Sequence, residues 1–259
     1  MEGKVKMEKL KNKMIDFLRT EVSQRGFERV VFGLSGGLDS AVVAYLCHEA
    51  FGANAKAILM PTSQSSKQHY KDALKIIRKL LLSYEVINLE KFENIFLSYK
   101  DMNSLRFGNL CARTRMMILY DIASRDKALV IGTSNKSERI LGYGTIYGDL
   151  ACAINPIGEI YKSDLYVFAK HLGIPNEIIQ KKPSADLYKG QSDEKELGFS
   201  YEKIDGFLKK ILKNNKDIYN LVLDSAIIDD EYSQEFIQSI LERIQKNRFK
   251  LGVSKVFNP

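Results

Sequence analysis

The chain has 259 residues, and its 39 Lys plus Arg exceed its 32 Asp plus Glu by a formal net charge of +7. Hydrophobic residues make up 45% and charged residues 27%, which is the balance of a globular protein and excludes disordered, collagen-like and coiled-coil chains. Three cysteines and three histidines are too few for a disulfide framework or a zinc site, and no run approaches the roughly 18 apolar residues of a membrane span.

Charges fall throughout the first residues, so no apolar signal core is read there and the expected location is the cytoplasm. Met7, Leu10, Met14, Leu18 and Val22 recur at helical spacing and predict an amphipathic helix over residues 5–25. Arg29 to Leu34 reads as a buried strand, and a helix follows from Leu38 to Phe51. Lys56 to Met60 is a second strand, stopped by Pro61. A polar stretch from Thr62 to Gln68 precedes a helix over Tyr70 to Leu82 and a third strand over Tyr84 to Leu89. A longer helix spans 104–124, and the fourth strand runs from Ala128 to Thr133. Gly142 to Gly158 reads as loops, Ser163 to His171 as a helix, and Lys181 to Leu197 as a mobile polar loop. Two or more helices follow, the last from Ser233 to Asn247, and the tail from Phe249 has no periodicity.

Strands alternating with helices predict an α/β fold, a doubly wound and mostly parallel sheet with helices on both faces and a helical C-terminal part. Such sheets take ligands beyond the carboxyl ends of their strands. That rule gathers Ser35–Asp39, Pro61–Gln68 and Thr133–Glu138 at one end.

The sharpest signal is Ser35-Gly36-Gly37-Leu38-Asp39-Ser40 between a strand and a helix. Two glycines let backbone N–H groups approach a phosphate, and the following helix points its positive end at it. Asp39 is out of place beside an anion unless a divalent cation lies between them, so it is a candidate Mg²⁺ ligand. The pattern is neither a Walker A loop nor GxGxxG, since the Lys that cradles a γ-phosphate is missing. The plain alternative is a glycine-rich turn with a polar cap.

SGGxDS after a strand resembles the pyrophosphatase loop of the adenine-nucleotide α-hydrolase families, which cleave ATP between the α- and β-phosphates to adenylate an oxygen. The rest of the chain narrows the choice. Gly108-Asn109 with Ala112-Arg113-Thr114-Arg115-Met116, Gly132-Thr133 with Glu138, and Tyr147-Gly148-Asp149 are similar to segments of the NAD synthetases. So are Pro156-Ile157 with Ile160 and Lys162, Pro183-Ser184-Ala185-Asp186-Leu187, and Gln191 with Asp193-Glu194. The series runs in order over residues 5 to 256 and resembles the short bacterial type, one synthetase domain over residues 1–259.

The resemblance implies a set of roles. Gly33, Leu34, Ser35, Gly36, Gly37, Leu38, Asp39 and Ser40, with Thr133, Lys162 and Ser184, would bind ATP. Asp39 and Glu138 would ligate Mg²⁺. Arg113 and Lys250 would bind deamido-NAD, with Arg115 a structural candidate. Asp39, Lys162 and Asp149 would take part in the chemistry, Asp149 by holding ammonia. Ile146 and Ala153 stand where longer bacterial members carry a Lys and an Asp for deamido-NAD, so the nicotinate end must be held by other groups. The expected activity is amidation of deamido-NAD with ammonia through an NAD-adenylate, and the short length before the loop leaves no room for a glutaminase. The expected partners are these small molecules and a second copy in a homodimer, with the 104–124 helix as an interface element, and neither nucleic acid nor membrane. A GMP synthetase-like or tRNA-thiolating enzyme and a non-catalytic nucleotide sensor are the alternatives.

Overall fold

A computed structural model of the chain describes residues 2–184, 190–213, 231–252 and 257. The Ala185 to Leu187 part of the P-S-A-D-L segment, the stretch 214–230 and most of the tail lie outside the described residues.

Four strands, β1 (Arg29–Gly33), β2 (Ala55–Leu59), β3 (Ser83–Val86) and β4 (Ala128–Ile131), form one parallel sheet in the order β3-β2-β1-β4. Alternation along β1 sends Val30 and Phe32 into one hydrophobic cluster and Val31 into another on the opposite face. Helices α1 (Glu2–Gln24), α2 (Leu38–Phe51) and α3 (Lys67–Leu80) cover the first face. Helices α4 (Glu90–Leu97) and α5 (Ser104–Asp126) cover the second. The doubly wound sheet expected from the strand–helix alternation is therefore present.

Helix α2 is buried from Ser40 to Cys47 because it lies between the sheet and α1, which explains why its sequence has no polar stripe. Met14, Leu18 and Val22 of α1 pack there as their spacing predicted. Beyond β4 come α6 (Lys136–Leu141), α7 (Lys162–His171), α8 (Asn176–Ile179), α9 (Asp193–Leu197), α10 (Tyr201–Ile211) and α11 (Gln234–Asn247). Helices α6, α10 and α11 enclose a third cluster built on Phe207, Phe236 and Ile240.

Three expectations need correction. Helix α4 was not expected: its eight residues are too few for a periodic signal, and it starts where Asn88 Oδ1 accepts the Glu90 N–H at 2.9 Å. The stretch Gly142 to Gly158 is not all loop, since Ile154 bridges to Ile131 in parallel and its carbonyl accepts the Gly132 N–H at 2.8 Å. The polar segment ending at Leu197 closes in helix α9. No helix among the described residues is long and apolar enough to cross a membrane.

The strand order places the functional end. The crossovers from β1 through β3 run by way of α2 and α3 on one face, and β4 is reached through α5 on the other. The winding reverses between β1 and β4, and ligands of such sheets bind at that crevice. At the opposite end, Lys56 bridges Asp126 and Glu85 (3.1 Å), and Arg125 binds both acids. The Arg125 hydrogen bond holds the Asp126 carboxyl well below the usual carboxylate range, with burial opposing and Lys56 assisting. A depressed carboxylate pKa contributes stability above its unfolded value and loses it as the pH falls. Asp126→Asn should therefore cost about 1 kcal/mol at pH 7. Thermal melts should show that gap narrowing below about pH 4, and a gap independent of pH would refute the electrostatic account.

Candidate active site

The carboxyl end of β1 passes into Ser35–Gly37 and then into α2. Gly36 has φ +85°, and a Cβ there would lie 2.0 Å from the His69 carbonyl oxygen, so only glycine fits. The serines stitch the loop: Ser40 Oγ donates to the Gly37 carbonyl (3.1 Å) and accepts the Ser35 N–H (3.3 Å), and Ser35 Oγ accepts the Gly37 N–H (3.2 Å). No side chain caps α2, so the N–H groups of its first turn point into the crevice.

Lys181 joins this loop to α3. Its Nζ donates to the Gly36 carbonyl at 3.1 Å and pairs with Asp72, which is fully buried. Burial raises the Asp72 carboxyl, but Lys181, with Gln68 and Lys75, outweighs it and holds the group below its ordinary range. Lys181 belongs to the positions that sequence reasoning passed over.

Across the switch point, β4 ends and Asn135 caps α6 in a capping box. Asn135 Oδ1 accepts the Glu138 N–H at 3.0 Å, and Glu138 Oε2 accepts the Asn135 N–H at 3.3 Å. Asn135 is fully buried, and its Nδ2 donates to Asp39 Oδ1 at 2.9 Å. Asn135 is another position that sequence reasoning passed over. The signal that could have found it is the Asn with a Glu three residues on.

Lys162, the first residue of α7, completes the cluster. Its Nζ is bonded to the Asp39 carboxylate and lies 3.2 Å from Glu138 Oε1. Its backbone N–H donates to Ser137 Oγ at 2.9 Å, and Ser137 is bonded in turn to Asp205 of α10. Burial alone would lower the Lys162 pKa, but the two carboxylates outweigh it and keep the ammonium charged. Burial pushes the Glu138 carboxyl upward, with Lys162 opposing and Asp39 adding to the rise. Two carboxylates here share one cation, so the donor set suits a divalent ion completed by phosphate oxygens.

These groups line a cavity of about 480 Å³. Gly33, Leu34, Ser35, Gly37, Leu38, Asp39, Ser40, Thr133, Glu138, Lys162, Ser184, Asp149 and Lys250 all line it. Gly36 lies behind the wall, beneath His69. Asp149 Oδ1 accepts the Thr145 N–H at 2.9 Å. Arg113 is exposed and away from this cavity, its Nε donating to the Ile146 carbonyl at 3.2 Å. Arg115 lines the cavity instead, with Nε on the Met60 carbonyl at 3.1 Å. Ala153 donates its N–H to Val130 at 3.0 Å and packs on the core, which leaves it no part in the cavity.

A glycine loop at the switch point, facing two carboxylates that share a lysine, defines a nucleotide-handling α/β protein. The family model described as NAD synthase matches residues 10–254. An NH(3)-dependent NAD(+) synthetase of Helicobacter pylori is 50% identical over 252 residues, 95% of each chain. Two solved structures agree. An NH3-dependent NAD synthetase from Campylobacter jejuni has TM-score 0.81 at 39% identity, covering 97% of this chain and 99% of that one. An NMN synthetase from Francisella tularensis has TM-score 0.86 at 30% identity, covering 97% and 98%. The chain belongs to the NAD synthase family.

Proposed function

We propose that the chain is a ligase forming a C–N bond, an ammonia-dependent NAD synthetase working as one domain over residues 1–259. It takes ATP, deamido-NAD and ammonia and yields NAD, AMP and pyrophosphate, the last step in making NAD, in the cytoplasm. The observation that carries this reading is the convergence of Asp39, Glu138 and Lys162 beside the Ser35–Ser40 loop. The GMP synthetase-like and nucleotide-sensor readings explain the loop but not the family match over residues 10–254.

Each residue then has a task. The Leu38–Ser40 N–H groups and the Ser35 and Ser40 hydroxyls hold the β- and γ-phosphates of ATP. Asp39 and Glu138 are the ligands proposed for Mg²⁺, which when bound supplies charge neutralisation for the departing pyrophosphate. Lys162 carries a fixed positive charge to the same phosphates, held by the two carboxylates until they arrive. Thr133 and Ser184, which line the cavity, are assigned to the nucleotide. The nicotinate carboxylate attacks the α-phosphorus in line, and Asp149 orients ammonia against the resulting acyl-adenylate. No enzyme nucleophile is required, so catalysis rests on positioning and charge stabilisation.

A homodimer through α5 accounts for apolar side chains that the fold leaves in solvent, Leu105, Met117 and Tyr120. Exposed Arg113 lies on that same helix, where deamido-NAD bound near the subunit interface would meet it. The deciding assay is NAD formation from deamido-NAD, ATP and Mg²⁺ with NH₄⁺ against glutamine. Activity with NH₄⁺ is expected, and turnover with glutamine alone would overturn the ammonia-dependent reading. Nicotinate mononucleotide in place of deamido-NAD tests the mononucleotide specificity suggested by the Francisella tularensis relative's name.

A further inference from the structure

Beside Gly142–Thr145 the cavity wall carries two cations that no described carboxylate neutralises. Lys250 Nζ donates to the Gly142 and Gly144 carbonyls, at 2.8 and 3.1 Å. Those dipoles hold the ammonium without cancelling its charge, and its third N–H remains for a ligand. Arg243 of α11 also lines the cavity. Its guanidinium lies 5.4 Å from the centroid of the Tyr143 ring, and its buried Nε has no hydrogen-bond partner. Lys250 and Asp149 both lie against Gly144, which sets Lys250 close to the proposed ammonia site; burial and then the Arg243 charge lower the Lys250 pKa, while Asp149 raises it.

The backbone keeps the two cations together. A Cβ on Gly142 would lie 2.1 Å from Asn247 Cβ, so the end of α11 rests directly on this loop. Asn247 Nδ2 donates back to the Arg243 carbonyl at 2.9 Å, fixing the turn that carries Arg243. The Tyr143 ring beneath the guanidinium is anchored through its hydroxyl, which reaches Asp193 (3.1 Å) and Glu196 (2.6 Å). A planar fork held over an aromatic ring is preorganised for an oxyanion. Two like charges held side by side in a cavity are unfavourable until an anion enters.

We propose that Arg243 is a substrate-binding residue which, with Lys250, receives an anionic group of the nicotinate half of deamido-NAD. This rests on the NAD synthetase reading above. It supplies the positive charge that Ile146 does not.

The test is steady-state kinetics of Arg243→Met. The KM for deamido-NAD should rise about tenfold or more, the loss of a charge-assisted contact, with KM for ATP and NH₄⁺ unchanged. Arg243→Lys keeps the charge and the stem, guards against a folding defect, and should fall between wild type and Arg243→Met. Calorimetric binding of deamido-NAD and of NAD separates the two anion sources. Weakening of deamido-NAD alone identifies the carboxylate, and equal weakening of both identifies the phosphate. A KM for deamido-NAD unmoved in both variants, or a rise in ATP KM instead, overturns the Arg243 assignment alone. A wild-type enzyme that does not turn over deamido-NAD overturns the functional reading and the assignment with it.

Discussion

Asp39→Asn should reduce kcat by at least about a hundredfold, the effect expected when one preorganised charged group is removed from a site of developing charge. The substitution is nearly isosteric and leaves an oxygen for the Asn135 amide, which Asp39 Oδ1 accepts at 2.9 Å. It removes the carboxylate bonded to Lys162 and leaves Glu138, 3.2 Å from the same Nζ, as the remaining partner. Folding should survive, because Lys162 keeps Glu138 as a hydrogen-bond partner. The loss should appear as a higher Mg²⁺ requirement together with slower release of AMP and pyrophosphate. Unchanged Mg²⁺-dependent pyrophosphate release in Asp39→Asn would remove Asp39 from the mechanism.

Gly36→Ala should be nearly as damaging for a different reason. The new Cβ would meet the His69 carbonyl oxygen at 2.0 Å, and a backbone oxygen at a helix start cannot rotate away. The residue must also keep φ +85°, a conformation that costs a non-glycine residue about 1–3 kcal/mol. The loop has to shift, and the Ser35 and Ser40 hydroxyls shift with it. A displacement of about 1 Å at a positioning group can cost on the order of a hundredfold. ATP should therefore bind and react poorly, and the melting temperature should fall by several degrees. An ATP KM and kcat equal to wild type would mean that Ser35–Ser40 does not hold the phosphates.

The fold was legible where residues interact with near neighbours in sequence. Apolar runs marked all four strands, and the spacing of Met14, Leu18 and Val22 marked the buried side of α1. The glycine loop was legible because phosphate binding demands glycine at a fixed offset from a helix start. What escaped notice was long-range. Asn135 meets Asp39 across 96 positions and Lys181 meets Gly36 across 145. Neither residue type is unusual locally, and only the β1–β4 adjacency makes Asn135 a partner. Arg243 was invisible for the same reason: its neighbour Tyr143 lies a hundred positions earlier, and on α11 it reads as one more solvated arginine. Arg113 carries the reverse lesson, since its motif was clear yet its side chain sits outside the cavity of its own chain.

Helix α6 is only six residues long, yet three parts of the molecule depend on it. Its first turn carries Glu138 to Lys162, its Ser137 is bonded to Asp205 of α10, and its Ile140 and Leu141 are sealed into the cluster with Phe207 and Phe236. The C-terminal helices are thus the foundation under one of the two acids, and not an appendage to the sheet. A loosened aromatic contact near Phe236 would tilt α6 and move Glu138 relative to Asp39, although Phe236 touches no substrate. Sequence drift in that remote core is therefore felt as a change in the spacing of the acidic pair.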